Sequence, residues 1–201
     1  MTNIIIRNNV KVVGKKNAPI LMLAHGFGCD QNMWQFMLPE LERHYQIVLF
    51  DYAGSGQSLL MGYTIEKYST LEGYAQDIID IIEELKLKAV TIIAHSVSSI
   101  IASIASLEIP NIIKKIVMVC PSPCFVNIPP DYKGGFERSD LEELIGLMDK
   151  NYIGWANYLA PLVMGHTQPD ELIGKLSESF CSTDPIVAKA FAKATFFSDH
   201  R

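Results

Sequence analysis

Up to residue 120 the chain alternates short, wholly apolar runs with amphipathic helical stretches, and this alternation is what most narrows its possible folds. Pro19-Ile20-Leu21-Met22-Leu23-Ala24, Ile47–Phe50, Val90–Ala94 and Ile116–Cys120 are apolar almost throughout. The first three read as strands covered on both faces, and Ile116–Cys120 as the last strand. Between them lie three helical patterns. Around Gln31–Leu41, Met33, Trp34, Met37 and Leu38 share one stripe. Over Leu71–Leu85, Ala75, Ile78, Ile79 and Ile82 mark an inner face, with Asp77, Asp80, Glu83 and Glu84 mainly outside it. Ser98–Leu107 is a helix of small residues. Strands alternating with helices predict an α/β chain built on a mostly parallel sheet with right-handed crossovers. At the start, Ile4–Ile6 and Val10–Val13 flank Arg7-Asn8-Asn9, which predicts an N-terminal hairpin.

The character changes after Cys120. Pro121, Pro123, Pro129 and Pro130 make a stiff exit, and helices are expected near Ser139–Asp149, Tyr152–Val163, Glu171–Phe180 and Pro185–Phe197 with no strand among them. Residues 1–120 therefore read as the sheet-bearing core, and residues 121–201 as a linker and a helical cap over the carboxyl end of the sheet.

Composition removes several classes of function. Of 201 residues, 49% are apolar and 19% charged, and the net charge is -5. A chain that is mildly acidic lacks the basic face that nucleic acid or an anionic membrane requires. No apolar run approaches the ~20 residues that span a bilayer, and the start carries no basic segment of a secretory signal. Cys29, Cys120, Cys124 and Cys181 form no CxxC pair and no zinc spacing with histidine. The expectation is a cytoplasmic protein with reduced thiols, no metal and no cofactor.

The chemistry concentrates in Val90-Thr91-Ile92-Ile93-Ala94-His95-Ser96-Val97-Ser98, where a buried strand runs through a tight turn into a helix. The nucleophile elbow G-x-S-x-G uses such a turn to lift a serine hydroxyl clear of the sheet. Ala94 and Ser98 stand here in place of the two glycines, and both are small. Ser96 is thus the candidate nucleophile. The helix that follows places free amides and a positive dipole end beside it, so the Val97 amide is one candidate oxyanion donor. The second comes from the loop after the earlier central strand, His25-Gly26-Phe27-Gly28, and the Phe27 amide is the candidate. Taken alone, a small–Ser–small triplet reads as a helix N-cap. The preceding strand, the His25–Gly28 loop and the Asp51-Tyr52-Ala53-Gly54-Ser55-Gly56-Gln57-Ser58 loop together turn the reading towards catalysis.

These residues, with Gly26–Gln31, Leu71–Asp77, Pro121–Cys124, Lys150–Ala156, Phe180–Pro185 and Phe196–Arg201, resemble the α/β-hydrolase superfamily and, within it, the RsbQ-type bacterial stress regulators, to which the plant karrikin and strigolactone receptors are related. The resemblance runs over essentially the whole chain. It implies an α/β-hydrolase fold with a four-helix cap over a mostly hydrophobic pocket. It also implies a role in activating the general stress sigma factor under energy stress, beside a PP2C-type phosphatase carrying a PAS domain. The substrate expected is a small apolar ester or lactone, and Phe125, Phe136, Trp155, Tyr158, Leu159 and Phe196 are the candidates to line its pocket.

In the family the triad acid and base follow the cap in the order Ser…Asp…His, and neither is found by Arg201. His25, His44, His95, His166 and His200 are the only histidines, and none is placed by sequence to serve as base. The 201 residues alone are therefore expected to be nearly inactive, and Ile116–Cys120 to be an unprotected sheet edge prone to association. Two functions remain open: a serine hydrolase, or a module that perceives a small ligand and signals with little or no turnover.

Overall fold

The structure is a computed structural model and describes residues 3–165 and 169–201. A five-stranded sheet has the order β1-β3-β2-β4-β5, formed by β1 (Lys11–Gly14), β2 (Ile20–Ala24), β3 (Gln46–Leu49), β4 (Val90–His95) and β5 (Ile113–Val119). β1 runs antiparallel to β3, and every other pairing is parallel. Alternate residues of the central strands feed two apolar layers. Met22, Ala24, Val48, Ile92 and Ala94 pack into the layer that includes Ile78 and Ile101. Leu21, Leu23, Ile47 and Leu49 pack with Trp34 on the other side. Burial on both faces is the reason these strands read as unbroken apolar runs.

The N-terminal hairpin does not form. Ile4–Arg7 is a one-turn helix, α1, whose Asn3 side chain accepts from the amides of Ile5 and Ile6. Asn8 ends it and Asn9, at φ 45°, turns the chain into β1. The β propensity of three isoleucines is overridden by a cap and by two long-range ion pairs, in which Arg7 Nη2 lies 2.7 Å from Asp77 Oδ1 and 3.2 Å from Asp80 Oδ2. With no N-terminal partner, β1 pairs with β3, Lys11 opposite Leu49 and Gly14 opposite Gln46.

The helix expected over Gln31–Leu41 is also broken, into a short 3₁₀ turn at Gln31–Trp34 and α2 at Leu38–Leu41. Pro39 has no N–H to continue a helix from Gln35 and is accepted only in a first turn. α3 spans Leu71–Glu84 and α4 spans Ser98–Glu108. On α3, Asp77 belongs to the interior rather than the outer face: it is fully buried and accepts from Arg7, Asn8, Tyr68 and the Ala53 amide. On α4, Ser98, Ser99, Ala102 and Ala105 are buried. Their small size lets the helix lie close to the sheet, and Ser99 Oγ donates to the Ala94 carbonyl at 3.0 Å.

Four helices follow: α5 (Arg138–Lys150), α6 (Tyr152–Met164), α7 (Asp170–Ser182) and α8 (Pro185–Phe196). Their starts are encoded locally. Glu137 and Asp140 form a capping box for α5, Asn151 caps α6, and Asp184 accepts from Ile186 and Val187 ahead of Pro185 in α8. Ile145, Met148, Trp155, Ala156, Ala160, Phe180, Ala188 and Ala192 make the cap's own core. α8 serves two layers, because Phe191 and Ala194 on its other side join the main core, with the Phe191 ring stacked on Tyr74 at 4.1 Å between centroids. His166 lies outside the described residues.

Candidate active site

Ser96 is held between β4 and α4 with φ 57°, in the left-handed region that a serine adopts only at a cost. Its amide is fixed to the Val119 carbonyl of β5 at 2.8 Å. The positions either side of the turn explain how the chain passes through it. Ala94 and Ser98 are fully buried, so neither has room for a larger side chain. Ser98 does more than stay small, a role sequence reasoning missed. Its hydroxyl donates to the His25 carbonyl and lies 2.9 Å from the Tyr52 hydroxyl. With its own hydrogen committed to His25, Ser98 accepts from Tyr52. The elbow, the His25 loop and the Tyr52 loop are thereby tied together. Burial pushes the Tyr52 hydroxyl's pKa up, so it remains a donor.

The His25–Gly28 loop lies directly against the elbow. A Cβ added at Gly26 would stand 3.4 Å from Ser96 Cβ and 2.5 Å from His95 Nδ1. Gly28, at φ 71°, has the Phe180 ring where its Cβ would be. Only glycine permits this approach. Among the described residues, neither the Phe27 amide nor the Val97 amide donates to a protein acceptor. Both amides are uncommitted, Val97 directly after the serine and Phe27 in the loop that packs against it, the positions at which an oxyanion hole would draw its donors.

His25 is fully buried and braces this loop. Its Nδ1 donates to the Gly26 carbonyl at 2.9 Å, and its Nε2 accepts from the Tyr52 amide at 3.2 Å. This is the neutral tautomer with the proton on Nδ1. Burial depresses its pKa below the usual histidine value. The His95 ring packs against Gly26, and burial followed by the nearby His25 lowers its pKa as well. His44 is exposed beside Glu40. The His200 backbone N–H donates to the Pro123 carbonyl, next to an exposed Asp199–Arg201 pair. Among the described residues no histidine ring hydrogen-bonds Ser96 Oγ.

Ser96, His95 and Phe27 open into a cavity of about 1360 Å³ between the sheet and the cap, larger than the 300–1,000 Å³ typical of small-molecule sites. Phe125, Phe136, Tyr158, Leu159 and Phe196 line it. Trp155, expected in the wall, stands behind it: the ring is 2% exposed and packs on Phe27, Tyr152 and Phe180 in the cap core. Its neighbours at Tyr158 and Leu159, about one turn further along α6, are the ones that reach the cavity. The wall also contains Cys29, Met33, Phe36, Leu144 and Thr195, which carried no signal in the sequence beyond their apolar or small character. Burial pushes the Cys29 thiol up to about 12, so it is an inert wall group. The four cysteines are all free, and no helix is long and apolar enough to cross a membrane among the described residues.

The family model described as the alpha/beta hydrolase fold matches residues 19–144, from the start of β2 into the cap. The chain belongs to the alpha/beta hydrolase family. Within that family it is similar to a rice protein named as a probable esterase (Oryza sativa subsp. japonica), at 38% identity over 194 residues, covering 96% of this chain and 71% of the relative. It is similar to a "Karrikin insensitive 2 receptor CA" of Petunia hybrida at 39% identity, with the same two coverages. Among solved structures, a hydrolase from Oleispira antarctica superposes with a TM-score of 0.96 at 64% identity, over 98% of this chain and 72% of that one. In this alpha/beta hydrolase the matched stretch contains the strand–turn–helix around Ser96.

Proposed function

We propose that this protein is a serine hydrolase acting on a small, neutral, largely apolar ester or lactone. The observation that carries the reading is the strained elbow at Ser96, flanked by the uncommitted Phe27 and Val97 amides and opening into the capped cavity. Ser96 Oγ attacks the substrate carbonyl, and the two amides receive the charge that develops on the carbonyl oxygen. The alcohol leaves, and water releases the acyl group from Ser96. Aromatic and aliphatic walls exclude bulk water and favour an apolar acyl or leaving group. The proton of Ser96 needs an acceptor, and none of the described histidines is bonded to it. Residues 1–201 by themselves should therefore turn over very slowly, since loss of the base costs about 10⁶ in turnover in a comparable serine enzyme.

The test is labelling of the full chain by a fluorophosphonate, located by peptide mass spectrometry. Modification at Ser96 that vanishes in Ser96→Ala supports the reading. An unmodified Ser96 under conditions where p-nitrophenyl butyrate is also untouched refutes it.

A second reading has one observation in its favour, the likeness to a plant protein named as a receptor. In it the cavity perceives a small ligand and the cap's outer surface reports occupancy, with hydrolysis slow or incidental. Ser96→Ala separates the two, because a hydrolysis-dependent signal fails and a binding signal survives. On the resemblance of the ordered sequence segments we assign the biological setting to energy-stress signalling upstream of the general stress sigma factor, beside a PP2C-type phosphatase with a PAS domain. Co-purification with such a phosphatase tests that assignment, and its absence in stressed cells removes it.

A further inference from the structure

Two buried polar atoms without a hydrogen-bond partner belong to residues of the cavity wall, His95 Nδ1 and Thr195 Oγ1. The first is turned into the protein, against the backbone of Gly26. The second is also covered in this rotamer, but its residue borders the cavity. Thr195 is in the last turn of α8, next to Phe196, and is 2% exposed. A helical threonine ordinarily donates to the carbonyl one turn earlier. Here the Thr195 carbonyl accepts from Ser198, but its hydroxyl bonds to nothing among the described residues. A buried hydroxyl left unpaired is a standing cost, and a valine would fill the same volume without it. Apolar side chains make up much of the same wall, among them Phe27, Phe125, Leu144, Leu159 and Phe196.

We propose that Thr195 is a specificity-determining residue of this cavity, whose hydroxyl donates to a second oxygen of the bound molecule, apart from the carbonyl addressed by Ser96. That oxygen is an ether, ring or carbonyl acceptor. The preferred substrate is then a neutral ester or lactone carrying one further uncharged oxygen, not a plain hydrocarbon ester. The proposal rests on the hydrolase reading of Ser96. A rotation about χ1 is enough to turn the hydroxyl towards a ligand. One such bond separates two molecules that differ only in that oxygen.

The matched pair p-nitrophenyl methoxyacetate and p-nitrophenyl butyrate differs by one oxygen for one methylene. With the full chain, Thr195→Val is expected to lower kcat/KM for the methoxyacetate about 3–10-fold, the size of one neutral hydrogen bond, and to leave the butyrate within about twofold. Thr195→Ser keeps the hydroxyl and should retain the preference. Intrinsic reactivity differences between the esters cancel in the ratio between variants. An equal fall on both esters, no fall on either, or a Thr195→Ser protein that behaves like Thr195→Val overturns the proposal. Thr195→Ala replaces Thr195→Val if the latter does not fold. The unreactive ketones 2-methoxyacetophenone and butyrophenone, measured by ligand-observed NMR on Ser96→Ala, read the same difference as a dissociation constant. If Ser96 is never labelled and neither ester is cleaved, the hydrolase reading fails. The ketone pair still decides Thr195: a methoxy preference lost in Thr195→Val supports it, and equal binding refutes it.

Discussion

The Tyr52 hydroxyl donates to Ser98 Oγ across 2.9 Å, and Ser98 passes its own hydrogen to the His25 carbonyl. One small side chain thus joins the elbow to both loops that face it. Ser98→Ala leaves two buried oxygens, on Tyr52 and His25, without this partner. It should cost about 1–3 kcal/mol in urea unfolding. Tyr52→Phe on that background should cost less than it does alone, because the two groups act as one network. Additive losses would show that the hydroxyls are independent.

Asp77 is the second anchor. It is fully buried and holds Arg7, whose side chain is 7% exposed, against the core. Asp77→Ala leaves the Arg7 guanidinium only the partly buried Asp80 at 3.2 Å and takes the acceptor from Asn8, Tyr68 and the Ala53 amide, so it should destabilise the protein by about 3–5 kcal/mol. Arg7→Met should cost less than Arg7→Ala, since its side chain refills part of the space. Thermal melts of the three variants check the order.

The buried His25 sets a limit in acid. Its pKa is lowered in the folded state relative to about 6.5 unfolded. The stability it contributes is complete above that unfolded value and is lost as pH falls from there through the folded pKa. Protonation would also set an N–H on Nε2 against the Tyr52 N–H that it now accepts. Stability should therefore decline below about pH 6.5, and His25→Gln should flatten that decline. An unchanged slope in His25→Gln would assign the acid sensitivity elsewhere.

Gly26 tests the proposed role of the Phe27 amide. Gly26→Ala brings a methyl to 2.5 Å from His95 Nδ1 and 3.4 Å from Ser96 Cβ, so the contact between the loop carrying the Phe27 amide and the elbow must readjust. Ser96 labelling should slow by about 10²–10³, the cost of one lost oxyanion donor, while circular dichroism stays native. Unchanged labelling would remove Phe27 from the hole.

β5 is the edge of the described sheet, with Val117, Met118 and Val119 exposed at 49%, 45% and 36%. A polypeptide of residues 1–201 should self-associate through this edge. Val117→Lys should shift its sedimentation towards monomer. A wild-type monomer at high concentration would contradict this.

Much of the frame was legible because local chemistry and global burial agreed. The four cap helices carry their starts in Glu137, Asn151, Pro169–Asp170 and Asp184–Pro185, and the central strands their double burial in apolar runs. The turn at Ser96 was legible because strand, turn and small-residue helix follow in nine residues. What failed depended on distant partners. Three isoleucines read as a strand until Arg7 finds Asp77, seventy residues away. Asp77 reads as a solvent face because periodicity cannot see that three donors and an amide converge on it. Trp155 and Tyr158 are both aromatic on one helix, and only the packing against Phe27 decides which faces the cavity. Thr195 is invisible in sequence because its significance is a bond it does not make.

α8 has one side in the cap core, through Ala188 and Ala192, and the other in the main core, through Phe191 and Ala194. Val187 fills the space that a side chain at Gly54 would need. A roof nailed down along one beam cannot lift as a block. α5, α6 and α7 supply much of the cavity wall, through Leu144, Tyr158, Leu159 and Leu176 among others, while α8 is fixed to the core beneath, so wall and floor are set by different helices. Substitutions on the first three can retune the wall without disturbing the ground on which Ser96 stands, whereas a change on α8 is felt in both places at once.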